Sequence, residues 1–483
     1  MDKQTLKNIV KLLGNIGIYL SFFFLIPISV GYYYGEDIFL FAIFNILFFC
    51  LNAIILLALK NHDITLSLRD GILSVNIIWV LVGLAGAIPL WLYSNITFMQ
   101  AIFESISGFT TTGATIYADI EILPNMILIL RSLMHWVGGM GILVLGVGLL
   151  SLINPSGSLA LFKAESSGIK LDKSTPKIKD TAVMLWGIYI FLTFLDGLLL
   201  KIGGMSTFDA VNHAFSTIST GGFSTKNSSL AAFDTPFILW VTTFFMIISG
   251  ITFLAHLRAF KGDYKGYRNE ETKWYMIIFI LLSLFMGLFR YQSSDDSFFI
   301  AMTHASFSIA SLMTTTGFAS LDYEAWGQMA VSIAFLAMLA SGNGGSTAGG
   351  VKIIRYVVSM KVIFAELKKI LHPAAIIRVF INSSPISSSL VWMTFGFILL
   401  FIITNAVITF YLYASGHDMM TSLSAALACV GNIGPGFSQV GPAQNYSFFD
   451  SLDLIVLSIG MIMGRLEIFT FLLIFIPSFW RKF

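Results

Sequence analysis

Apolar runs long enough to cross a lipid bilayer recur along this chain. They lie near 12–33, 38–59, 71–93, 125–152, 181–202, 235–257, 274–290, 390–414 and 452–478, and a tenth begins at 327 and is interrupted. A helix needs about 20 consecutive apolar residues to traverse the hydrocarbon core. Only 11% of the 483 residues are charged, against about 25% in a soluble domain. The expectation is an all-α polytopic membrane protein seated in a lipid bilayer. A net charge of +2 with no long basic tract gives no reason to expect a nucleic-acid partner.

Lys and Arg orient such a chain, because they are retained on the cytoplasmic side. Residues 153–180 carry Lys163, Lys170, Lys173, Lys177 and Lys179. Residues 258–273 carry Arg258, Lys261, Lys265, Arg268 and Lys273. Residues 352–378 carry Lys352, Arg355, Lys361, Lys368, Lys369 and Arg378. The alternate connections 94–124, 318–326 and 415–450 hold no Lys or Arg, and 203–234 holds only Lys226. Both termini are therefore expected in the cytoplasm, with an even number of spans; ten fits. The first run follows Lys3, Lys7 and Lys11, and no alanine occurs before Ala42 to form a small-residue cleavage site. It reads as a retained helix. Cys50 and Cys429 both sit in apolar runs, so neither a disulfide framework nor a cysteine metal site is expected.

Four of the uncharged connections share an order: a span, a short half-apolar segment, a Gly-containing polar stretch, another span. The stretches read GFTTTGATIY (108–117), STISTGGFST (216–225), LMTTTGFASL (312–321) and VGNIGPGFSQ (430–439). Aligned on Gly113, Gly221, Gly317 and Gly434, they are 108, 96 and 117 residues apart. This is an internal repeat with a period near one hundred. All four copies start on the same side, so the repeats are parallel. The segments ahead of the glycines, 98–109, 207–218, 300–313 and 418–430, are too short to span and suit re-entrant helices. Irregular backbone at membrane depth survives only when buried in protein or lining an aqueous cavity. Four such loops around one axis meet both conditions.

That arrangement gives uncharged oxygen ligands to a dehydrating cation, as potassium-channel filters do with four loops of type TVGYG. The corresponding pieces are Thr111-Thr112-Gly113, Ser219-Thr220-Gly221, Thr315-Thr316-Gly317 and Asn432-Ile433-Gly434. Glycine tolerates the backbone angles that turn carbonyls inward. A site without carboxylates suits a monovalent ion, since a divalent site would call for charged ligands. Glu104 and Asp119 flank the first loop alone and form no ring.

The chain resembles the Trk/Ktr/HKT superfamily of potassium transporters, most closely its bacterial TrkH type. The resemblance covers essentially the whole chain. SISGFTTTGAT, HWVGGMGILVLGVGLL, STISTGGFS, GGSTAGGVKIIR, GNIGPGF and GRLEIFT carry it. Two helices ahead of the first repeat favour the TrkH over the eight-helix KtrB type. The resemblance implies four parallel helix–pore loop–helix repeats around a central pore plus two N-terminal helices. On that scheme residues 1–65 hold the two N-terminal helices, and 66–160, 161–262, 263–372 and 373–483 are repeats 1 to 4. It further implies potassium at the filter residues, a homodimer in a bacterial inner membrane, and a cytosolic ring of TrkA-type subunits binding NAD(H) or ATP/ADP. Nucleotide would act only through that partner, and the basic loops 258–273 and 352–370 read either as its docking faces or as ordinary topology-setting charge. Within the family a glycine at the first filter goes with potassium, so Gly113 points to potassium. Asn432 and Ile433 depart from the Thr/Ser pattern of the other loops.

SGNGGSTAGG (341–350) follows a mostly apolar run of fourteen residues, 327–340. With five glycines it cannot be a stable helix. It reads either as a cytoplasmic turn or as a loop plugging the pore below the filter, and the resemblance favours the plug, formed by Gly342, Gly344, Gly345, Gly349 and Gly350. Arg465 lies well inside the last run. Ionisable residues there face a cavity or a partner, and Glu467, two positions on, does not share its helix face. The resemblance puts Arg465 beside the plug, where it raises the barrier to a cation. His135, His213, His256 and His304 lack metal-ligand spacing and read as packing residues. No clustered nucleophile–base set suggests an enzyme. The rival to a channel-like pore is a symporter coupling potassium to H+ or Na+, with Asp196, Asp209 and Glu467 as the available carboxylates.

Overall fold

A computed structural model describes residues 3–64, 67–148, 175–233 and 235–480. Lys163, Lys170 and Lys173 of the first basic loop, and the expected boundary at 160/161, lie outside the described residues. The described residues are mostly helical. Helices α1 (Lys3–Tyr34) and α2 (Phe39–Ala58) pack as an N-terminal pair. Then a pattern recurs: a long helix, a short helix, an irregular stretch, a further helix.

The long members are α3 (Leu68–Tyr93), α6 (Thr175–Ile202), α10 (Glu270–Ser293) and α14 (Ser388–Ala414). The short ones are α4 (Phe98–Phe109), α7 (Thr207–Ile218), α11 (Phe298–Met313) and α15 (Met419–Val430). These follow the four segments read as too short to span. Each short helix begins at a side-chain cap. Thr97, Ser206, Ser297 and Asp418 accept the N–H of Gln100, Asp209, Ile300 and Thr421, satisfying one of the donors that a helix start leaves orphaned. Each then packs on the long helix before it.

The closing members are α5 (Asn125–Gly148), the pair α8 (Pro236–Ser249) and α9 (Phe253–Phe260), the pair α12 (Gln328–Leu339) and α13 (Ile353–Leu371), and the pair α16 (Ser451–Arg465) and α17 (Phe469–Leu472). Helix α5 packs on α7, α8 on α11, and α16 on α4. The fourth unit thereby returns to the first. Among the described residues, six helices are long and apolar enough to cross a membrane alone, and two bent pairs bring the number to eight. Their outer faces expose Leu47, Ile54, Phe194, Phe285, Val407 and Phe410, an apolar surface that a soluble protein would bury. A two-stranded hairpin, β1 (Phe380–Ile381) with β2 (Ser384–Pro385), precedes α14.

The runs 235–257 and 452–478 read as continuous spans, and the structure breaks both. The first bends by 96° between α8 and α9, the second by 111° between α16 and α17. In the first, the carbonyls released by the break find partners elsewhere. Gly250 O accepts Asn343 N–H at 2.8 Å, Ser249 O accepts the Thr347 hydroxyl at 3.2 Å, and Ile247 O accepts the Tyr275 hydroxyl at 3.1 Å. The 341–350 loop supplies two of these donors, so a break invisible in hydropathy is stabilised by tertiary contact. In the second, Glu467 turns the chain at a φ of 54°, and its carboxylate pairs with Arg355 at 2.9 Å.

Candidate functional site

The four short helices end alike. Thr111, Thr220, Thr315 and Asn432 adopt positive φ of 54°, 56°, 58° and 53°. The N–H groups of the next residues, Thr112, Gly221, Thr316 and Ile433, reach back to the carbonyls of Ser107, Ser216, Ser311 and Ala428 at 2.8–2.9 Å. This six-to-one closure is the Schellman cap, usually built on glycine at the left-handed position. Here three of the four are threonines. A β-branched residue with positive φ is a true outlier, and such strain costs about 1–3 kcal/mol and clusters at functional sites.

Two residues further on, φ is positive again: 82° at Gly113, 88° at Gly222, 81° at Gly317 and 94° at Gly434. Alternating left- and right-handed residues turn successive peptide planes the same way, so that several carbonyls in a row face one side. The alternation also fixes the register. In the second loop Gly222, not Gly221, stands where Gly113 stands in the first. Gly221 matches Thr112, Thr220 matches Thr111, and Ser219 falls at the end of α7. The pattern shared by the first three loops is Thr-x-Gly, and Gly222-Phe223 then lines up with Gly317-Phe318. That signal was present in the sequence but was obscured by the choice between two adjacent glycines.

These glycines close a ring. A Cβ built on Gly113 would lie 2.2 Å from Gly221 O, one on Gly222 2.0 Å from Thr316 O, one on Gly317 2.2 Å from Ile433 O, and one on Gly434 2.6 Å from Thr112 O. Each loop thus abuts the next, and the fourth abuts the first. The neighbour in every case is the carbonyl ahead of the next loop's glycine, so four equivalent oxygens lie at one level. A side chain at any of the four positions would displace backbone. All four glycines line one pocket of about 70 Å³, with Ala114, Phe223 and Pro435. Beneath them Thr111 Oγ1 and Asn432 Oδ1 are buried without a hydrogen-bond partner, while Asn432 Nδ2 donates to Thr112 Oγ1 and Met461 O, both at 3.0 Å. Asn432 therefore departs from threonine yet ties the fourth loop to the first.

Loops one and two are bolted by an ion pair that the sequence did not single out. Glu104 on α4 and Arg131 on α5 are buried and meet at 2.8 Å. Glu104 also accepts Ile116 N–H at 2.9 Å and the Thr115 hydroxyl at 3.0 Å. Arg131 donates to Ser224 O at 3.2 Å and lies over the Phe223 ring at 4.1 Å. Removing one partner of a buried pair strands the other charge, at about 3–5 kcal/mol. Arg131→Met is expected to destabilise the protein by that order in denaturation of the purified protein in detergent, and Arg131→Met with Glu104→Gln by less. A double variant as unstable as the sum of the singles would show that the two do not act as a pair.

The four histidines are bonded in place. His135 takes Phe223 N–H at 3.2 Å on Nε2 and bonds Gly108 O at 2.7 Å through Nδ1, bracing α4 against the second loop. His213, His256 and His304 bond Ser224, Tyr267 and Ser320. On the irregular stretch between α11 and α12, Glu324 accepts Ser438 N–H at 2.8 Å. Partial burial raises its carboxyl above the usual range, against that hydrogen bond, which lowers it.

The 341–350 loop is not a free turn. It is mostly buried and reaches the loop ends directly. Gly349 N–H donates to Thr315 Oγ1 at 2.7 Å. The Thr347 hydroxyl lies 3.2 Å from both Ile218 O and Ser249 O. A Cβ at Gly349 would lie 2.5 Å from Gly431 O, and one at Gly342 2.9 Å from Gly250 O. Gly345 O accepts Phe253 N–H at 3.0 Å, Gly344 N–H bonds Glu271, and Gly350 turns the chain at a φ of 60°. Arg465 Nη1 donates to Thr347 O at 2.8 Å and Nη2 to Gly138 O at 3.3 Å. The loop thereby sits against carbonyls or side chains from the second, third and fourth units, and Arg465 links it onward to Gly138 of the first.

Known proteins match this chain along nearly its full length. A family profile described as "TrkH: Cation transport protein" matches residues 37–273 and 275–482. The chain is 35% identical over 419 residues to the Trk system potassium uptake protein TrkH of Halomonas elongata, covering 86% of each chain. It is 34% identical over 486 residues to the protein of the same name from Vibrio parahaemolyticus, covering 99% of each. The crystal structure of the potassium transporter TrkH from Vibrio parahaemolyticus superposes with a TM-score of 0.90 at 32% identity, over 99% of this chain and 100% of that one.

Proposed function

This chain belongs to the TrkH family of cation transport proteins, and from that premise we propose that it takes up potassium across a bacterial inner membrane through a channel-like, four-loop carbonyl filter. The observation that carries this reading is the closed ring in which each loop's left-handed glycine abuts the carbonyl of the next loop. Uncharged oxygens at one level replace the hydration shell of a monovalent ion and release it again. Potassium here is substrate, held by the carbonyls of 111–113, 220–222, 315–317 and 432–434.

On this reading the ten spans are α1, α2, α3, α5, α6, α8–α9, α10, α12–α13, α14 and α16–α17, with both termini cytoplasmic. Four parallel repeats surround one pore, and each subunit of a homodimer has its own. The 341–350 loop blocks the pore, and Arg465, bonded to its Thr347 carbonyl, adds positive charge there. The relatives are named as members of a "Trk system", which supports an assembly of several components. A cytosolic TrkA-type ring would then bring the nucleotide, docking on 258–273 and 352–370.

A coupled H+ or Na+ symporter is the second reading. It draws on Asp196, a buried carboxyl in α6, since buried carboxyls at membrane depth serve proton relays. Flux of K+, Rb+ and Na+ into liposomes at clamped voltage, with no proton gradient, separates the two. Passive flux favouring K+ and Rb+ is expected. Flux appearing only with an imposed proton or sodium gradient would make the filter a binding site within a carrier cycle.

A further inference from the structure

The buried loop at 341–350 is also held by a side chain from the start of α10. Glu271, the second residue of α10, is fully buried. Its Oε1 accepts the N–H of Gly344 at 2.8 Å and that of Ile354 at 3.2 Å. Gly344 lies in the loop, and Ile354 lies in the first turn of α13. Helix α13 has no side-chain cap of its own, since Lys352 at its N-cap position makes no capping bond. The first N–H groups of a helix lack intrahelical partners and favour a negative charge. The carboxylate therefore caps α13 from a different helix, and the same oxygen fixes the loop's distance from that cap. The next residue adds a second tie, as Asn343 Nδ2 donates to Thr272 Oγ1 at 2.7 Å.

The residue before faces the other way. Glu270 pairs with Lys361 of α13. Its backbone N–H donates to Asn382 Oδ1 at 2.8 Å, and its Oε1 accepts Asn382 N–H at 3.3 Å. Asn382 is the turn residue of the β1–β2 hairpin, at a φ of 48°. Three consecutive residues on one helical turn thus hold the hairpin on one side and the loop on the other.

We propose that Glu271 is a positioning residue that keeps the 341–350 loop in its blocking place, and that the 380–385 hairpin acts on it through Glu270. This rests on reading the loop as a gate. When the loop leaves, the Gly344 amide can hydrate; while it stays, loss of the carboxylate leaves that buried N–H unsatisfied, which penalises the closed state. Displacing the hairpin at the cytosolic face would tilt the first turn of α10 and loosen the same grip.

The test is K+ flux through the full-length protein in liposomes without any partner subunit. Glu271→Ala is expected to raise basal flux on the order of tenfold and to leave the K+/Na+ permeability ratio at the parent value. A merely structural role would lower flux or disturb the ratio. Glu271→Gln, which keeps an acceptor oxygen, and Thr272→Val are expected to give smaller increases, and they carry the test if the alanine variant does not assemble. Glu270→Gln is expected to raise flux less than Glu271→Ala; flux at the parent level there would remove the hairpin from the mechanism. A loop-shortened variant lacking several glycines of 342–350 is measured alongside. Raised flux in that variant with parent flux in all Glu271 and Thr272 variants overturns the proposal and leaves the gate standing. Parent flux in the shortened variant itself overturns the gate, and this proposal with it.

Discussion

Gly222→Ala is expected to lower the K+/Na+ permeability ratio at least about tenfold, which corresponds to a loss of some 1.4 kcal/mol in discrimination. The backbone at Gly222 has a φ of 88°, and an added Cβ would lie 2.0 Å from Thr316 O and 3.1 Å from its carbonyl carbon. An L-residue is disfavoured in that conformation by roughly 1–2 kcal/mol. The collision is with backbone, so no flexible side chain can move aside. The displaced carbonyl is one of the four proposed to select the ion. Gly113→Ser is expected to act alike, since its Cβ would lie 2.2 Å from Gly221 O. Gly221→Ala differs in mechanism: its Cβ would meet the His135 ring at 2.3 Å, a side chain that can be cut back. His135→Ala should therefore couple to Gly221→Ala, as expected for contacting sites. Bi-ionic reversal potentials read both effects. A parent-like ratio in Gly222→Ala would remove the glycine ring from the filter.

Deleting several glycines within 342–350 is expected to raise basal K+ flux by an order of magnitude or more, without altering ion preference. The loop is held in place by Gly349 on Thr315, Thr347 on Ile218 and Ser249, Asn343 on Gly250, and Arg465 on Thr347. A shortened loop cannot reach these partners together. Moving a two-state gate from 1:99 to an even balance takes about 2.7 kcal/mol, which is within the worth of two or three such bonds. Liposome flux or single-channel recording without a partner subunit gives the answer. A deletion variant as closed as the parent would deprive the loop of its gating role.

Much of this protein is legible as text because bilayer physics is strict. Apolar runs of fixed length, basic connections on one side and four short segments before Gly-containing stretches predict the helices α4, α7, α11 and α15 within two residues of where they fold. The interrupted run after 327 and the Gly-rich 341–350 stretch predict a broken helix, and one is found. Hydropathy counts residues, however, and carries no information about hydrogen-bond partners. It therefore ran 235–257 and 452–478 through as unbroken spans, whereas α8–α9 and α16–α17 bend where carbonyls bond the distant Asn343 and Thr347, or where Glu467 pairs with Arg355.

The sequence by itself determined the class, the repeat and the chemistry on offer: uncharged backbone oxygens, presented at glycines, four times over. Only the tertiary structure decided the register of the second loop, because adjacent Gly221 and Gly222 are chemically identical until a neighbouring carbonyl touches one and a histidine ring the other. It alone joined Glu104 to Arg131 across 27 positions and Glu271 to Gly344 across 73. Such pairs follow from which helix faces meet. Local propensity leaves that open, and burial of each charge together with its partner resolves it.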